Sequence, residues 1–222
     1  MSKASRSEAS DIGQLNREKI LSAALELVQS DGVDFSMRAL GTKLDVWPMA
    51  VYRHYKNRDA LLDAIVDAVL GKVLTEGAID ALKDSSEPWQ SRLEAFCLHM
   101  YDVYVRFPGV AQKVLYGALY TPKGLELVEV VAGVLVDLGL DRQRAASILQ
   151  TIGFFVCEMA MLDYARRQGQ SDPDGLLERA EEIKSEFPIA YDYIEIMADV
   201  GYRDRLKTGL KLFSRAIESE IN

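Results

Sequence analysis

Apolar residues recur along the chain at the three- and four-residue spacing of amphipathic helices. The first stripe predicts a helix over residues 17–31 and consists of Ile20, Ala24, Leu27 and Val28. A second predicts a helix from about 58 to 82 and consists of Leu61, Leu62, Ile65 and Val69. No stretch alternates apolar and polar residues between Asn-Gly or Asp-Gly turns, so no strand is predicted. The pattern therefore predicts an all-α protein.

Capping and stop residues divide this pattern into separate helices. Gly32 ends the first, and Ser36 is an N-cap for a helix over about 37–44. Pro48 opens a third helix, because the first helical position needs no N–H donor. Asn57 is predicted to cap the fourth. The remaining helices are predicted at about 88–106, 108–119, 122–138, 141–167, 173–185, 188–199 and 203–219.

The ends of the chain and its composition indicate a soluble protein. Residues 1–15 are polar and Ser-rich and are predicted to form a flexible N-terminal arm. They lack the apolar core of a signal peptide. The most apolar stretch, 148–162, is shorter than a bilayer requires and contains Glu158. Cys97 and Cys157 have no metal-ligand spacing. We therefore expect a cytoplasmic protein without membrane contact, metal or cofactor.

Charge is distributed unevenly along the chain. The net charge is −8, but residues 1–60 carry nine Lys and Arg against eight Asp and Glu. Residues 35–58 contain five bases and one acid, Asp45. An acidic protein can bind a polyanion when its bases are concentrated on one surface.

The predicted third helix separates two kinds of side chain. At about 100° per residue, Val51 and Tyr55 share one face, and Met49, Ala50 and Arg53 point the other way. Small and apolar groups near a helix N-terminus suit base edges and thymine methyls, and Lys56 and Arg58 suit phosphates. Two short helices with this arrangement are typical of a helix-turn-helix, whose second helix enters the major groove of DNA.

Three segments carry a resemblance to a known family. They are REKILSAALELV (17–28), SMRALGTKLDV (36–46) and VYRHYKNRDALLDA (51–64). Residues 17–70 resemble the DNA-binding domain of the TetR (tetracycline repressor) family of transcriptional regulators. The resemblance implies a helix-turn-helix domain over residues 16–62, joined to a larger helical effector-binding and dimerisation domain over residues 63–222.

The resemblance also implies roles for individual residues. Arg38 would reach a base or a phosphate, Pro48, Met49 and Ala50 would lie over base edges, and Tyr52, His54 and Arg58 would grip phosphates. Two positions depart from the family pattern. Asp45 replaces the glycine of the turn, and Trp47 replaces a small polar cap. The Trp47 indole either contacts DNA or packs on the turn. The full set of predicted DNA-binding residues is Arg38, Trp47, Pro48, Met49, Ala50, Tyr52, Arg53, His54, Lys56 and Arg58.

The second part resembles the C-terminal domain of the tetracycline-repressor subgroup, through RFPGVA (106–111), YTPKGLELVE (120–129), GLDRQRAA (139–146) and GFFV (153–156). The family architecture implies a homodimer in which helices of about 141–167 and 203–219 form a four-helix interface. The long helix also has more apolar surface than one neighbour needs, although a buried core helix would show the same pattern. The predicted interface residues are Leu149, Ile152, Phe155, Val156 and Met159. A twofold dimer would place two recognition helices about 34–36 Å apart, matching a palindromic operator.

An effector pocket is expected among the helices between about 62 and 163. Its candidate lining residues are His99, Tyr101, Tyr104, Tyr116, Tyr120, Phe154, Glu158 and Met161. Several Tyr hydroxyls with a His and a Glu are more polar than a packing-only interior prefers, which favours an amphiphilic or aromatic small molecule. The position that matches the subgroup's metal-chelating histidine is Gly117, so a tetracycline–magnesium site is not expected.

The pattern and the resemblance together predict a repressor that a small-molecule effector releases from its operator. One alternative is an activator or co-repressed regulator of the same fold, which needs its ligand to bind DNA. Another, from a different class, is an all-α enzyme. The chain has no Ser/His/Asp set, phosphate-binding Gly loop or metal cluster at useful spacing, which argues against the enzyme.

Overall fold

A computed structural model describes residues 15–117, 119–170 and 172–221, and within them the chain is helical without strands. The predicted all-α class is therefore confirmed. The predicted N-terminal arm, residues 1–15, lies outside the described residues except for Leu15. The helices are α1 (Arg17–Asp31), α2 (Met37–Lys43), α3 (Pro48–Tyr52), α4 (Arg58–Val73), α5 (Glu76–Lys83), α6 (Trp89–Tyr104), α7 (Pro108–Leu115), α8 (Pro122–Asp137), α9 (Arg142–Arg167), α10 (Pro173–Glu182), α11 (Pro188–Asp199) and α12 (Tyr202–Ile221).

The chain divides into two compact units, Met1–Val66 and Asp67–Asn222. In the first unit, α1 packs on α2 and α2 on α3. The predicted stripe of α1 is the core here, since Ile20, Ala24 and Val28 are fully buried. The helices α2 and α3 are too short to be stable alone in water. Packing in the core that the α1 stripe forms stabilises them.

Most helix ends follow the predicted caps. The Ser36 hydroxyl accepts a hydrogen bond from the Ala39 N–H at 3.0 Å, and the Asn57 side chain accepts one from the Ala60 N–H at 2.8 Å. Pro48 occupies the first turn of α3. These side chains satisfy N–H groups that the first turn of a helix leaves without partners.

The prediction of a single helix over residues 58–82 is wrong. It ends at Val73, and α5 begins at Glu76 behind Thr75, whose hydroxyl accepts a hydrogen bond from the Ala78 N–H at 3.3 Å. The apolar stripe continues across the break, which is why periodicity alone joined the two helices. The sequence signal that was missed is Thr75 as an N-cap followed by an acidic residue in the first turn.

In the second unit, α9 packs against α6, α7, α8 and α12, and its neighbours form one core. The largest side chains buried there include Tyr101, Tyr104, Leu135 and Leu206. The helices α10 and α11 pack against each other, and α11 has no buried residue.

By length and composition, α9 could cross a membrane. It has 26 residues, with a mean hydropathy of 1.6 over its most apolar window. The helix α9 is therefore longer than the apolar stretch 148–162, which by itself is too short to span a bilayer. A core helix of a soluble protein meets the same criteria, and α9 has four helical neighbours, so this is weak evidence for a membrane span.

Candidate nucleic-acid interface and ligand cavity

The turn between α2 and α3 is held by backbone contacts and by one glycine. The Val46 N–H donates to the Gly41 carbonyl oxygen at 2.9 Å, and Asp45 has a φ of 54°. Asp tolerates this left-handed conformation better than most residues, although less freely than glycine. A Cβ on Gly41 would lie 2.8 Å from the Val46 carbonyl oxygen, so the tight approach requires glycine. Gly41 was not among the residues singled out from the sequence.

The outward face of α3 carries large apolar groups in solvent. Trp47 is 85% exposed and Met49 is 71% exposed, while Val51 and Tyr55 on the opposite face are buried. The predicted division of faces is therefore confirmed. Trp47 does not pack on the turn, which leaves its indole free for an external surface. Pro48 and Ala50 lie half-buried between these groups.

Polar side chains surround this apolar pair. Arg38, Arg53 and Lys56 are exposed, and Tyr52 is 37% exposed. His54 is half-buried. These exposed bases lie within 20 residues of sequence on the first unit, so an acidic chain concentrates positive charge in a short segment.

Arg58 has a structural partner that the sequence did not reveal. Its Nη2 donates to the Val33 carbonyl oxygen at 2.6 Å, and its guanidinium lies 6.0 Å from the centre of the Phe35 ring. These contacts tie the start of α4 to the segment after α1. The predicted phosphate contact of Arg58 would have to share the guanidinium with this tether.

A second tether positions the end of α3. The Arg17 guanidinium lies 4.5 Å from the centre of the Tyr55 ring, and its Nη1 donates to the His54 carbonyl oxygen at 3.1 Å. The Tyr55 hydroxyl donates in turn to the Arg17 carbonyl oxygen at 3.2 Å. Because the partners are 37 and 38 positions apart, no local sequence signal indicates this clamp.

The second unit contains a cavity of about 470 Å³. This volume lies within the range of small-molecule sites in proteins. The walls come from α6, α7, α8, α9 and the segment after α7. The lining residues are Leu93, Phe96, Cys97, Met100, Tyr104, Val114, Leu115, Tyr116, Gly117, Leu119, Leu127, Val128, Val131, Leu135, Leu149, Gln150, Ile152, Gly153, Phe154 and Cys157.

Of the eight predicted effector residues, the cavity includes Tyr104, Tyr116 and Phe154. The other five, which do not line it, are His99, Tyr101, Tyr120, Glu158 and Met161. The walls are accordingly less polar than the predicted set. A stripe at helical spacing on α6, formed by Leu93, Cys97, Met100 and Tyr104, could have indicated the wall from the sequence.

His99 and Tyr101 contact residues outside the cavity lining. A ring nitrogen of His99 lies 3.1 Å from the Lys72 carbonyl oxygen, at the end of α4. The Tyr101 hydroxyl donates to the Asp163 carboxylate at 2.5 Å. Burial and then this hydrogen bond raise the pKa of Tyr101 above its usual value. Tyr101 therefore serves to join α6 to α9.

Tyr104 differs from Tyr101 in its hydrogen bonding. The side chain is fully buried, and within the described residues its hydroxyl has no hydrogen-bond partner. Burial raises the pKa of this hydroxyl well above its ordinary value, so it remains protonated. Burial likewise raises the pKa of the Cys97 and Cys157 thiols to about 12, which leaves both as unreactive thiols.

Packing within the chain uses part of the α9 surface that the sequence predicts for the dimer. Ile152 and Val156 are 5% and 0% exposed within a single chain, so they have little surface left for a second copy. The Phe155 ring packs edge-on against Phe213 of α12, with 5.4 Å between ring centres. Leu149 lines the cavity and, like Met159, is half-buried. Part of the apolar surface of α9 is therefore covered by α12 or lines the cavity, and its role in a dimer stays a prediction.

Comparison with known proteins agrees with both units. A family profile described as bacterial regulatory proteins, tetR family, matches residues 20–65, and one described as tetracyclin repressor-like, C-terminal domain, matches residues 83–216. The chain is 30% identical over 169 residues to the HTH-type transcriptional repressor Rv1353c of Mycobacterium tuberculosis, covering 73% of this chain and 63% of that protein. It thus spans less than two thirds of this relative's length.

Two further proteins resemble this chain, one in sequence and one in fold. The chain is 28% identical over 145 residues to the tetracycline repressor protein class D of Escherichia coli, covering 65% of this chain and 64% of that protein. The fold matches that of ActR from Streptomyces coelicolor in complex with actinorhodin, with a TM-score of 0.80, 21% identity, and coverage of 95% of this chain and 100% of that chain.

Proposed function

Because this chain belongs to the tetR family of bacterial regulatory proteins, we propose that it is a transcriptional repressor whose homodimer binds a palindromic DNA operator. A small molecule that enters the cavity of the second unit would release the protein from the operator. The relatives named as repressors support the regulatory assignment.

The exposed N-terminus of α3 carries this proposal. An indole that is 85% exposed and a thioether that is 71% exposed are unfavourable in water unless a partner covers them. Their position at the start of the second helix of a helix-turn-helix is the position that enters the major groove. The exposed Arg38, Arg53 and Lys56 around them suit the phosphates on either side.

The cavity walls have a physical connection to α4, the helix that begins in the first unit and ends in the second. His99 of α6 contacts the Lys72 carbonyl oxygen of α4. The Lys123 N–H at the start of α8 donates to the Asp67 carboxylate of α4 at 2.7 Å. Both α6 and α8 line the cavity. A ligand that displaces either helix would therefore act on α4, and we propose this route for coupling the ligand to DNA affinity.

Coupling between ligand and DNA is reciprocal. A ligand that weakens operator binding tenfold is itself bound tenfold more weakly by the DNA complex, which corresponds to about 1.4 kcal/mol of coupling.

The test is fluorescence anisotropy of the protein with labelled DNA from upstream of its own gene, beside a scrambled duplex, over a series of salt concentrations. We expect preference for the upstream DNA with two chains per site. Tyr52→Ala should abolish this preference without loss of helicity, whereas Tyr193→Ala, at an exposed tyrosine of the second unit, should not. Lys56→Ala should weaken binding to both duplexes and lower the salt slope by about one.

Equal affinity of the protein for the two duplexes, with and without small molecules, would contradict the proposal. An unchanged operator affinity in the Tyr52→Ala variant would remove the assignment of α3. Ligand titration of the operator complex then decides the direction of control. Release supports repression relieved by the ligand, and tighter binding would favour the ligand-dependent alternative.

A further inference from the structure

The cavity of the second unit has an unusual balance of groups. Its described lining residues include no acidic or basic side chain. Moving an ionised group from water into such surroundings without a partner is strongly unfavourable. The walls therefore select against charged ligands.

One side chain of these walls carries a polar atom that has no partner in the described protein. The Tyr104 side chain is fully buried, it lines the cavity, and its hydroxyl makes no hydrogen bond with the described protein. Buried polar groups in folded proteins nearly always have a partner, so an exception of this kind requires an explanation. A hydroxyl that remains protonated can donate its hydrogen to an acceptor on a bound molecule.

The shape of the site adds two constraints. Tyr116 and Phe154 line the cavity and are 77% and 41% exposed, so they lie where it opens to solvent. The deeper wall consists of aliphatic, aromatic and sulfur-containing side chains, including Phe96, Met100 and Leu135. Flat apolar rings fit between such walls better than a flexible polar chain, which would lose both hydration and rotational freedom.

We propose that the cavity binds an uncharged, ring-containing apolar molecule with a carbonyl or ether oxygen that accepts a hydrogen bond from the Tyr104 hydroxyl. The proposal deepens the proposed function, since this molecule would be the effector. The binding event itself requires neither DNA nor a change in DNA affinity.

The test is isothermal titration calorimetry on the full chain without DNA, using three probes of one ring system. Fluorenone carries the acceptor, fluorene lacks it, and 9-oxofluorene-4-carboxylate adds a negative charge. The variants are Tyr104→Phe and, as a matched control, Tyr101→Phe. Tyr101 lies on the same helix and is equally buried, but its hydroxyl is bonded to Asp163 outside the cavity.

Fluorenone should bind Tyr104→Phe about three- to tenfold more weakly than the wild type, the range of a single uncharged hydrogen bond. Its affinity for Tyr101→Phe should be unchanged. Fluorene should bind the wild type and Tyr104→Phe equally. The carboxylate should bind at least about a hundredfold more weakly than fluorenone, because its charge has no partner in the walls. Circular dichroism of each variant confirms that it is folded.

Three results would overturn the inference: equal fluorenone affinity in the wild type and Tyr104→Phe, carboxylate binding as tight as fluorenone binding, or no binding of either neutral probe at its solubility limit. Each leaves the DNA-binding test intact, so the inference can fail while the regulator assignment stands. Conversely, binding as expected without any effect on operator affinity would contradict the induction model and leave the inference in place.

Discussion

Removing one hydroxyl group from each of two neighbouring tyrosines should change stability in different ways. Tyr101 and Tyr104 lie three residues apart on α6 and are both fully buried. Tyr101 donates to Asp163, whereas Tyr104 has no protein partner among the described residues. Replacing each by phenylalanine removes one oxygen atom and leaves the ring in place.

The expected magnitudes follow from these partners. A hydrogen bond to a charged group contributes about 1.5–3 kcal/mol. Asp163 keeps the Arg167 guanidinium at 2.7 Å in the Tyr101→Phe variant, so its carboxylate is not left without a partner. We therefore expect a loss near the lower end, about 1.5–2 kcal/mol. Tyr104→Phe breaks no protein hydrogen bond and should leave the free energy of unfolding unchanged or raise it by up to about 1 kcal/mol.

Urea denaturation followed by circular dichroism measures both changes, and thermal melting provides a second readout. For a chain of this length, about 1 kcal/mol corresponds to a shift in Tm of about 2–4 °C. Tyr101→Phe should therefore melt several degrees below the wild type. All three proteins must be compared at one concentration, because self-association makes Tm depend on concentration.

A loss of more than about 1 kcal/mol in Tyr104→Phe would refute the reasoning, since it would mean that the hydroxyl has a stabilising partner. An unchanged Tyr101→Phe would show that its hydrogen bond to Asp163 does not form in solution. Either result would also remove the basis for treating these residues differently in ligand binding.

Backbone and thiol variants test other parts of the structure. Gly41→Ala should lower the free energy of unfolding by about 1–3 kcal/mol, because its Cβ would lie 2.8 Å from a carbonyl oxygen. Gly71→Ala, with nothing within 4 Å, should raise it by up to about 1 kcal/mol in the same urea titration, and equal effects would contradict the tight turn. Asp45→Gly relieves a φ of 54° and should be neutral or stabilising by up to about 1–2 kcal/mol; destabilisation would show that the aspartate side chain supports the turn. The thiols of Cys97 and Cys157, with a pKa of about 12, should resist iodoacetamide at pH 8 until the chain unfolds, and rapid labelling would refute their burial. Because their unfolded pKa is about 8.5, the stability from their burial is present below that pH and is lost as pH rises towards 12, measurable as a falling urea midpoint.

Most helix starts and the outward face of α3 could be predicted from the residues alone. Ser36 caps α2, Pro48 opens α3, and Val51 with Tyr55 turns inward, all as predicted. These features depend on residues no more than about four positions apart, because capping and helical faces are local properties of the backbone. The resemblance to the TetR family rests on the same local segments. The match of the tetR family profile to residues 20–65 confirms it.

Which side chains form the cavity could not be predicted in the same way, because it depends on how distant helices pack. Tyr101 and Tyr104 are indistinguishable by type and nearly so by position, yet one is bonded to a residue 62 positions away and the other lines the site. Phe155, which the sequence predicts at the dimer interface, packs on Phe213 of the same chain, 58 positions away. Periodicity shows that a residue is buried, but not against which helix. That choice depends on how distant helices pack, and their contacts are not encoded by spacing along the chain.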